Sequence, residues 1–438
     1  LKSMSILNVN KINPVGGGST ITIAGIASVT SSVTAPSFVG AVTGNVTGNV
    51  TGNADTASGL SGNPSINTTG IVTATSFVPT TGQLSHRNII INGAMMVAQR
   101  GQSSTSSNAF TCDRFKHWYQ GADEAPTFSQ HALTSSDTGP WEEGFRYSFH
   151  TLNGNQTGGA GASDYIEIDH ELESQVVANS GWNYLSTSGN ITLSFWVKAS
   201  VSQKYSFILR TKDGTSYSYL METPTLSANT WTKVTKTIPG NSNLTFDNDT
   251  GAGMTIVWFP FIGTTYTDAG NPTETWGAFS STRWSTPMTS TWWTTNDATF
   301  EITGVQLEVG PVATPFEHRS YGDELMRCMR YYETNNHTTY AKNTDGSITS
   351  YWSTITSNDS NTLVVSTGIV YKVGKRASPT VTLYNSANTG TANRVNAQGT
   401  ERTVTATYGG PNALTRIYVS GASSGNYVTY NWEASAEL

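Results

Sequence analysis

The chain has 438 residues, of which only 12% are charged, and its formal net charge at pH 7 is −6. Binding of nucleic acid needs a basic patch that neutralises phosphates, and the few lysines and arginines of this chain do not supply one. Nucleic acid is therefore not expected as a partner. No window approaches 18 consecutive apolar residues, so membrane insertion is not expected either. Ser, Thr and Asn together supply 151 residues and Gly another 42, so hydroxyl and amide groups must carry most of the surface polarity.

Residues 1–85 form a repetitive segment with almost no aromatic side chains. Its clearest feature is a four-residue repeat, or tetrad, in which Ala or Asn is followed by Val-Thr-Gly. Copies of the tetrad start at Ala41, Asn45 and Asn49. Gly and Asn tolerate positive φ whereas Val and Thr prefer extended backbone, so each tetrad predicts a short strand and a turn. One copy has too few apolar residues to form a core. Two interpretations follow, a flexible linker or identical chains wound together as a shaft, and the fixed period favours the second.

From residue 86 the pattern changes to alternating apolar and polar residues punctuated by Gly, Asn and Pro. This period of two predicts an antiparallel β-sandwich or jelly roll over residues 86–318. The predicted strands lie at 165–173, 191–198, 205–210, 231–238, 254–261 and 299–309.

One short helix is predicted at 321–333, because Leu325, Met329 and Tyr332 share a helical face and acidic residues occupy the first turn. It belongs to a connecting segment, 319–334, that precedes a last β-domain at 335–438. The predicted strands of that domain, a small β-sandwich, lie at 362–365, 380–384, 403–408, 416–419 and 427–432.

Two cysteines, Cys112 and Cys328, are too few for a disulfide scaffold or a four-ligand zinc site. The one candidate cation loop contains Asp247, Asn248 and Asp249, but no acidic residue follows at the spacing of a calcium loop. Ordinary turn chemistry is the preferred interpretation, and we expect no metal and no cofactor.

Several motifs resemble the tail fibre proteins of tailed phages, especially those of marine hosts. They comprise Ser37-Phe-Val-Gly with the tetrads, Arg87-Asn-Ile-Ile-Ile-Asn-Gly-Ala-Met-Met-Val-Ala-Gln-Arg-Gly, Asp113-Arg-Phe, the 303–325 stretch, Met329-Arg-Tyr-Tyr-Glu and Arg376-Ala-Ser-Pro-Thr-Val-Thr. The middle domain is also similar to carbohydrate-binding jelly rolls through Leu193-Ser-Phe-Trp-Val-Lys-Ala-Ser, Trp231 and the strand at 299–309.

The resemblance implies a mainly β, elongated, homotrimeric virion fibre. Its N-terminal anchor or shaft, residues 1–85, would attach to a phage tail, baseplate or adaptor protein. The jelly roll, the helix and a C-terminal β-sandwich tip would follow, and a host surface glycan or protein receptor would be bound without catalysis. The implied location is the phage tail, assembled in the host cytoplasm.

Two alternatives remain open on the sequence. A tailspike-type hydrolase needs two convergent carboxylates, and the row Glu167, Asp169, Glu171 and Glu173 lies on one strand face. The other alternative is a virion fibre with no receptor role.

Aromatic and basic side chains supply the candidate ligand-binding residues, because the apolar faces of sugars stack on exposed aromatic rings. The competing interpretation of the tryptophans is that their rings pack beneath a long loop or between subunits. For the candidates in the last domain it is that they lie in a trimer interface or in a core. The candidates are Trp276, Trp284, Trp292 and Trp293 in a Ser/Thr-rich stretch, and Tyr351, Trp352, Arg394 and Arg402 in the last domain.

Overall fold

The computed structural model describes residues 85–335, 351–359, 362–385, 392–397, 399–421 and 427–438, with only the backbone described for 351–359, 362–368 and residue 427. The mainly β class is confirmed. The predicted strand-and-turn shaft lies in residues 1–84, outside the described residues.

Among the described residues, 85–309 contain antiparallel strands with two short helices between them. The strands are β1 (Ser103–Ser104), β2 (Ala109–Phe110), β3 (Phe115–Gln120), β4 (Thr127–Ala132), β5 (Tyr147–Leu152), β6 (Tyr165–Glu173), β7 (Asn190–Ala199), β8 (Ser206–Thr211), β9 (Tyr217–Glu222), β10 (Thr232–Pro239), β11 (Ala252–Ile262), β12 (Trp276–Ala278) and β13 (Thr299–Val309). The helices are α1 (Ser174–Ala178) and α2 (Thr291–Thr294), and a single 3-10 turn spans Thr264–Tyr266.

These strands form the predicted sandwich. Sheet I has six strands in the order β1-β4-β5-β13-β7-β10, and sheet II has seven in the order β12-β9-β8-β11-β6-β3-β2. Neighbouring strands often come from distant parts of the sequence, as β13 does between β5 and β7. Such pairing between strands that are distant in sequence is typical of a jelly-roll topology.

The core lies between the inward faces of the two sheets and is rich in aromatic rings. Phe195 of sheet I packs edge-on against Phe207 and Trp258 of sheet II, with ring centroids 5.1 and 5.7 Å apart. All three side chains are fully buried or nearly so. Edge-to-face packing of this kind adds to the free energy gained from burying the apolar area.

The predicted helix is present as α3 (Tyr321–Met329), which ends before the predicted residue 333. Its N-cap is Ser320, whose hydroxyl accepts a hydrogen bond from the backbone N–H of Asp323. Tyr332–Thr334 leave the helix to form β14, whose backbone pairs with the last strand of the chain.

The strands after α3 and β14 are β15 (Tyr351–Asp359), β16 (Thr362–Val370), β17 (Thr380–Asn385), β18 (Arg394–Ala397), β19 (Thr400–Gly410), β20 (Ala413–Ser420) and β21 (Tyr427–Ser435). They form one sheet with β14, sheet III, in the order β14-β21-β15-β16-β20-β19-β18, and β17 also pairs with β21. Because β18 pairs with both β19 and β21, the described strands from β21 to β18 close on themselves.

The sandwich and sheet III lie in one compact unit, Ser76–Leu438. Buried ion pairs join them: the Glu437 carboxylate contacts the guanidinium groups of Arg100 and Arg114. Arg376 extends the junction by donating to the carbonyl oxygens of Thr250 and Ala436.

Both cysteines are buried as free thiols.

Among the described helices, none has the length and apolar character needed to cross a bilayer.

Candidate functional site

The acidic row on β6 is placed by simple strand alternation. Ile166, Ile168 and Leu172 are buried in the core, so the residues between them point away from it on the outer face of sheet II. Glu167, Asp169 and Glu171 therefore share this face, as the alternation predicts.

Glu173, the fourth member of the predicted row, is not part of it. Its carboxylate is fully buried and accepts hydrogen bonds from Arg330 at 2.7 and 2.8 Å and from the Tyr331 hydroxyl at 2.6 Å. It holds α3 and β14 against the sandwich, which is a structural role.

Cations and an aromatic ring lie beside the acidic row on neighbouring strands. Lys116 and Trp118 of β3 lie opposite Asp169 and Glu167 in register, and the Lys116 ammonium is 4.5 Å from the centre of the Trp118 ring. At the other end of the row, Lys212 forms an ion pair with Glu171 at 3.1 Å.

Burial shifts the pKa of Glu167 and of Asp169 in this row. It raises the pKa of Glu167 to about 7, although nearby Lys212 and Lys116 act in the opposite direction. The pKa of Asp169 also lies well above its usual range, because burial is reinforced by the charges of Glu167 and Glu171. One Asp169 carboxyl oxygen is buried without a hydrogen-bond partner among the described residues.

A cavity of about 120 Å³ opens at the Glu167 end of the row. Three aromatic side chains, Tyr165, Tyr266 and Trp284, line it together with Glu167 and Ile262. The rings of Tyr165 and Tyr266 meet edge to face with their centroids 5.7 Å apart. Neither Asp169 nor Glu171 lines this cavity, so Glu167 supplies the single carboxyl group among the described residues that line it.

Trp284 is held at the cavity by the segment that follows β11. Its backbone N–H donates to the Tyr266 carbonyl at 3.3 Å, and its ring meets Phe279 edge to face at 4.8 Å. The Arg210 guanidinium lies over the Phe279 ring at 3.6 Å and 5.0 Å from the Trp284 ring. The ring is half-buried, so its position is fixed while part of its surface faces the cavity.

The other three candidate tryptophans are too deeply buried to stack on a sugar. Trp276 is 9% exposed, and Trp292 and Trp293 are fully buried in the core. Their indole N–H groups donate to the backbone carbonyls of Pro239, Thr299 and Gly159, respectively. These rings pack under the 263–298 loop, as the competing interpretation of the tryptophans expects.

In the last domain, Arg394 and Arg402 lie on adjacent strands but point to opposite faces, because Arg394 pairs with Thr403 and Arg402 with Val395. The two guanidinium groups therefore do not converge. Tyr351 and Trp352 lie in β15, where only the backbone is described.

The candidate cation loop has turn chemistry. The Asp249 carboxylate accepts from the backbone N–H of Gly251 at 2.8 Å, and the N–H of Asp247 donates to Asp213. Asn248 adopts a left-handed conformation at φ 56°.

Sequence reasoning missed Tyr165, Tyr266, Lys116, Trp118 and Arg210. Lys116 and Trp118 alternate with buried residues, and that pattern alone places them on an outer face. No comparable signal exists for Tyr266, because its position depends on how an irregular segment folds over the sheet.

No protein-family model and no curated protein sequence matches the chain. Among solved structures, it is similar to the enzymatically active domain of bacteriophage CBA120 tailspike protein 4, at 12% identity and a TM-score of 0.27 over 51% of this chain and 21% of that one. A putative sugar-binding protein of Bacteroides thetaiotaomicron matches at 11% identity and a TM-score of 0.28, over 51% of this chain and 100% of that one. A family 11 carbohydrate-binding module of Clostridium thermocellum matches at 10% identity and a TM-score of 0.23, over 50% and 98%. TM-scores of this size do not establish a shared ligand.

Proposed function

We propose that the protein binds a glycan on the outer face of sheet II, without cleaving it. The cavity beside β6 carries the proposal: three aromatic side chains and one carboxyl group line one small concave space. Aromatic rings stack on the apolar faces of sugars while a few polar groups fix the hydroxyls, so this is the composition that a sugar subsite needs.

The surface next to the cavity extends the proposed site. Trp118 and Lys116 lie beside Glu167 and Asp169 on the adjacent strand. Interspersed charges of both signs offer donors and acceptors to several hydroxyls, so more than one sugar unit would be accommodated along the row. The polar groups give selectivity, and the rings give most of the affinity.

A sharp test compares two tryptophan variants. We expect Trp284→Ala to weaken binding to bacterial surface polysaccharide by about 1–3 kcal/mol, because it removes an aromatic wall of the cavity. Trp141→Ala is the matched control, since Trp141 is also half-buried but lies on the loop that follows sheet I strand β4. Calorimetry and thermal unfolding of both variants separate loss of the site from loss of the fold. Equal affinity in the two variants would refute the proposed location.

The finer role that we propose is host recognition by a phage tail fibre. Its support is the set of motifs described above, together with the tetrad repeat of residues 1–85 that needs sister chains to bury its valines. Deleting residues 1–85 is expected to abolish assembly onto virions while glycan binding persists. Incorporation of the truncated chain into particles would contradict this division of roles.

Hydrolysis by the β6 carboxylates is the second candidate, and the raised pKa of Glu167, about 7, favours it because a general acid must hold its proton near neutrality. Against it, Glu167 carries the only carboxyl group among the described residues that line the cavity, whereas glycoside hydrolysis uses two carboxyl groups flanking one bond. Incubation with host envelope polysaccharide decides between them. Binding alone predicts no released oligosaccharide, and hydrolysis predicts release that Glu167→Gln abolishes.

A further inference from the structure

Two histidines and a glutamate from three adjacent strands meet on the outer face of sheet I, opposite to the glycan site. His150 of β5 lies directly across from Glu301 of β13. His131 of β4 pairs with Ser148, two residues from His150, so it lies on the same face. One potential ligand atom from each of the three side chains falls within 4.8 Å of the other two.

The glutamate of this cluster is held in position before any ligand arrives. Glu301 is only 3% exposed. Lys198 contacts its Oε1 at 3.0 Å, and the Ser148 hydroxyl donates to its Oε2 at 2.7 Å. Outer groups that orient a ligand in this way are typical of metal sites in proteins.

The histidines complement this rigid carboxylate. His131 Nδ1 is already 3.4 Å from Oε2 of Glu301, and the two imidazole rings are 5.1 Å apart. The His131 side chain is 52% exposed, so an ion has access from solvent. Around one Zn²⁺ ion with bonds of about 2 Å, donor atoms lie about 3.4 Å apart. The three donor atoms all lie within 4.8 Å of one another, so each pair needs to approach by no more than about 1.4 Å to bind one ion.

The local charge also favours a cation. Glu301 and Asp137 carry two negative charges, and Lys198, which also contacts Asp137 at 2.9 Å, carries one positive charge. With both imidazoles neutral, these groups sum to −1. The ammonium is bound to Oε1 and Asp137, which leaves Oε2 on the histidine side.

We propose that His131, His150 and Glu301 form a binding site for a divalent transition-metal ion of the Zn²⁺ class. Two imidazoles and one carboxylate are the donor set that zinc, nickel and copper accept, whereas calcium prefers oxygen donors alone. Three protein ligands leave at least one coordination position open to water or to an external donor. The ion would also join β4, β5 and β13 across sheet I.

The test uses the full chain without a histidine tag, stripped of metal and titrated with Zn²⁺ by calorimetry. We expect one equivalent to bind and the thermal midpoint to rise, because the ion binds only the folded chain. Co²⁺ at the same site should give the strong visible absorption of a low-coordinate ion. Failure to bind either ion would overturn the proposal.

Two variants locate the site. His131→Ala and His150→Ala are each expected to lower Zn²⁺ affinity by at least about tenfold and to remove the Co²⁺ bands. His86→Asn is the control, because His86 is exposed and far from this cluster in sequence, and Asn tolerates its positive φ of 55°. Equal loss in the control, or undiminished affinity in both test variants, would show that the ion binds elsewhere and contradict the assignment.

Discussion

At the scale of single residues, burial decides what each candidate side chain can do. Trp284 and Trp292 come from the same Ser/Thr-rich stretch, yet one is half-buried at a cavity and the other is fully buried with its N–H bonded to a backbone carbonyl. Residue type and local composition are the same for both. Only the path of the chain around them separates a ring that lines a cavity from a ring that lies in the core.

Glu167 gives a prediction on pH at this scale. Its pKa in the folded protein, about 7, exceeds the ordinary value of 4.5, so the folded chain binds more protons than the unfolded chain between these values. The stability that the protonated form confers is complete below pH 4.5 and is lost as the pH rises through about 7. Glu167→Gln is therefore expected to increase the free energy of unfolding near pH 8 by about 1–3 kcal/mol.

Urea unfolding at several pH values between about 5 and 8 checks this prediction. The variant should show a flatter pH dependence than the wild-type chain. Asp297→Asn, at an exposed carboxyl group, is the control and should leave the curve unchanged. Parallel curves for wild type and Glu167→Gln would show that this carboxyl group does not titrate as described.

At the scale of elements, the sequence predicts strands well where apolar residues alternate strictly. β6 and β13 have the predicted bounds, 165–173 and 299–309, because every second residue of β6 enters the core and β13 is almost wholly buried. β4 and β5 were missed, since polar residues occupy some of their inward positions; Gln130, for example, donates to the Met95 carbonyl instead of facing solvent. The helix was predicted four residues too long because its apolar stripe continues into β14.

The motifs behind the tail-fibre resemblance prove to be connecting elements. Asn92 donates from its backbone to Glu324 and from its side chain to the carbonyls of Val97 and Asp113. Arg319 donates to the Ile90 carbonyl and pairs with Glu324. These residues hold the 86–100 segment and α3 together, a role that sequence spacing alone does not reveal.

The C-terminal tail gives the prediction for this scale. Glu437 is almost buried against Arg100 and Arg114, with side-chain exposures of 9%, 11% and 2%. Burial alone would raise the pKa of Glu437, but the two guanidinium groups outweigh it and lower the pKa. Glu437→Gln is expected to cost about 3 kcal/mol of unfolding free energy, because buried Arg114 loses its counter-charge and Arg100 keeps only the Asp113 carboxylate, at 3.5 Å.

Glu143→Gln is the matched control. Glu143 pairs with Lys233 at 2.9 Å, but both side chains are about one-third exposed, so its loss should cost less than about 1 kcal/mol. Urea unfolding at neutral pH measures both variants. Equal costs would mean that the junction between the sandwich and sheet III does not depend on this cluster.

At the scale of the whole molecule, the two outer faces of the sandwich carry different chemistry. Sheet II presents aromatic rings and a carboxyl row, and sheet I presents the imidazole and carboxylate cluster. A ligand on one sheet and an ion on the other would not compete. The proposed glycan site and the proposed metal site can therefore be tested independently of each other.

Assembly gives the prediction at this scale. We expect light scattering to give about three times the chain mass of 46.9 kDa, because the tail-fibre resemblance implies a homotrimer and the fixed period of the repeats in residues 1–85 favours identical chains wound together. A monomer mass would contradict the trimer.

The most direct measurement of the central claim screens the wild-type chain, Trp284→Ala and Trp141→Ala side by side on an array of bacterial surface glycans. Glycan binding at the sheet II cavity predicts that the wild-type chain and Trp141→Ala select the same glycans and that Trp284→Ala loses them while remaining folded. Retention of the same glycans by folded Trp284→Ala, or no glycan bound by the wild-type chain, would contradict the account.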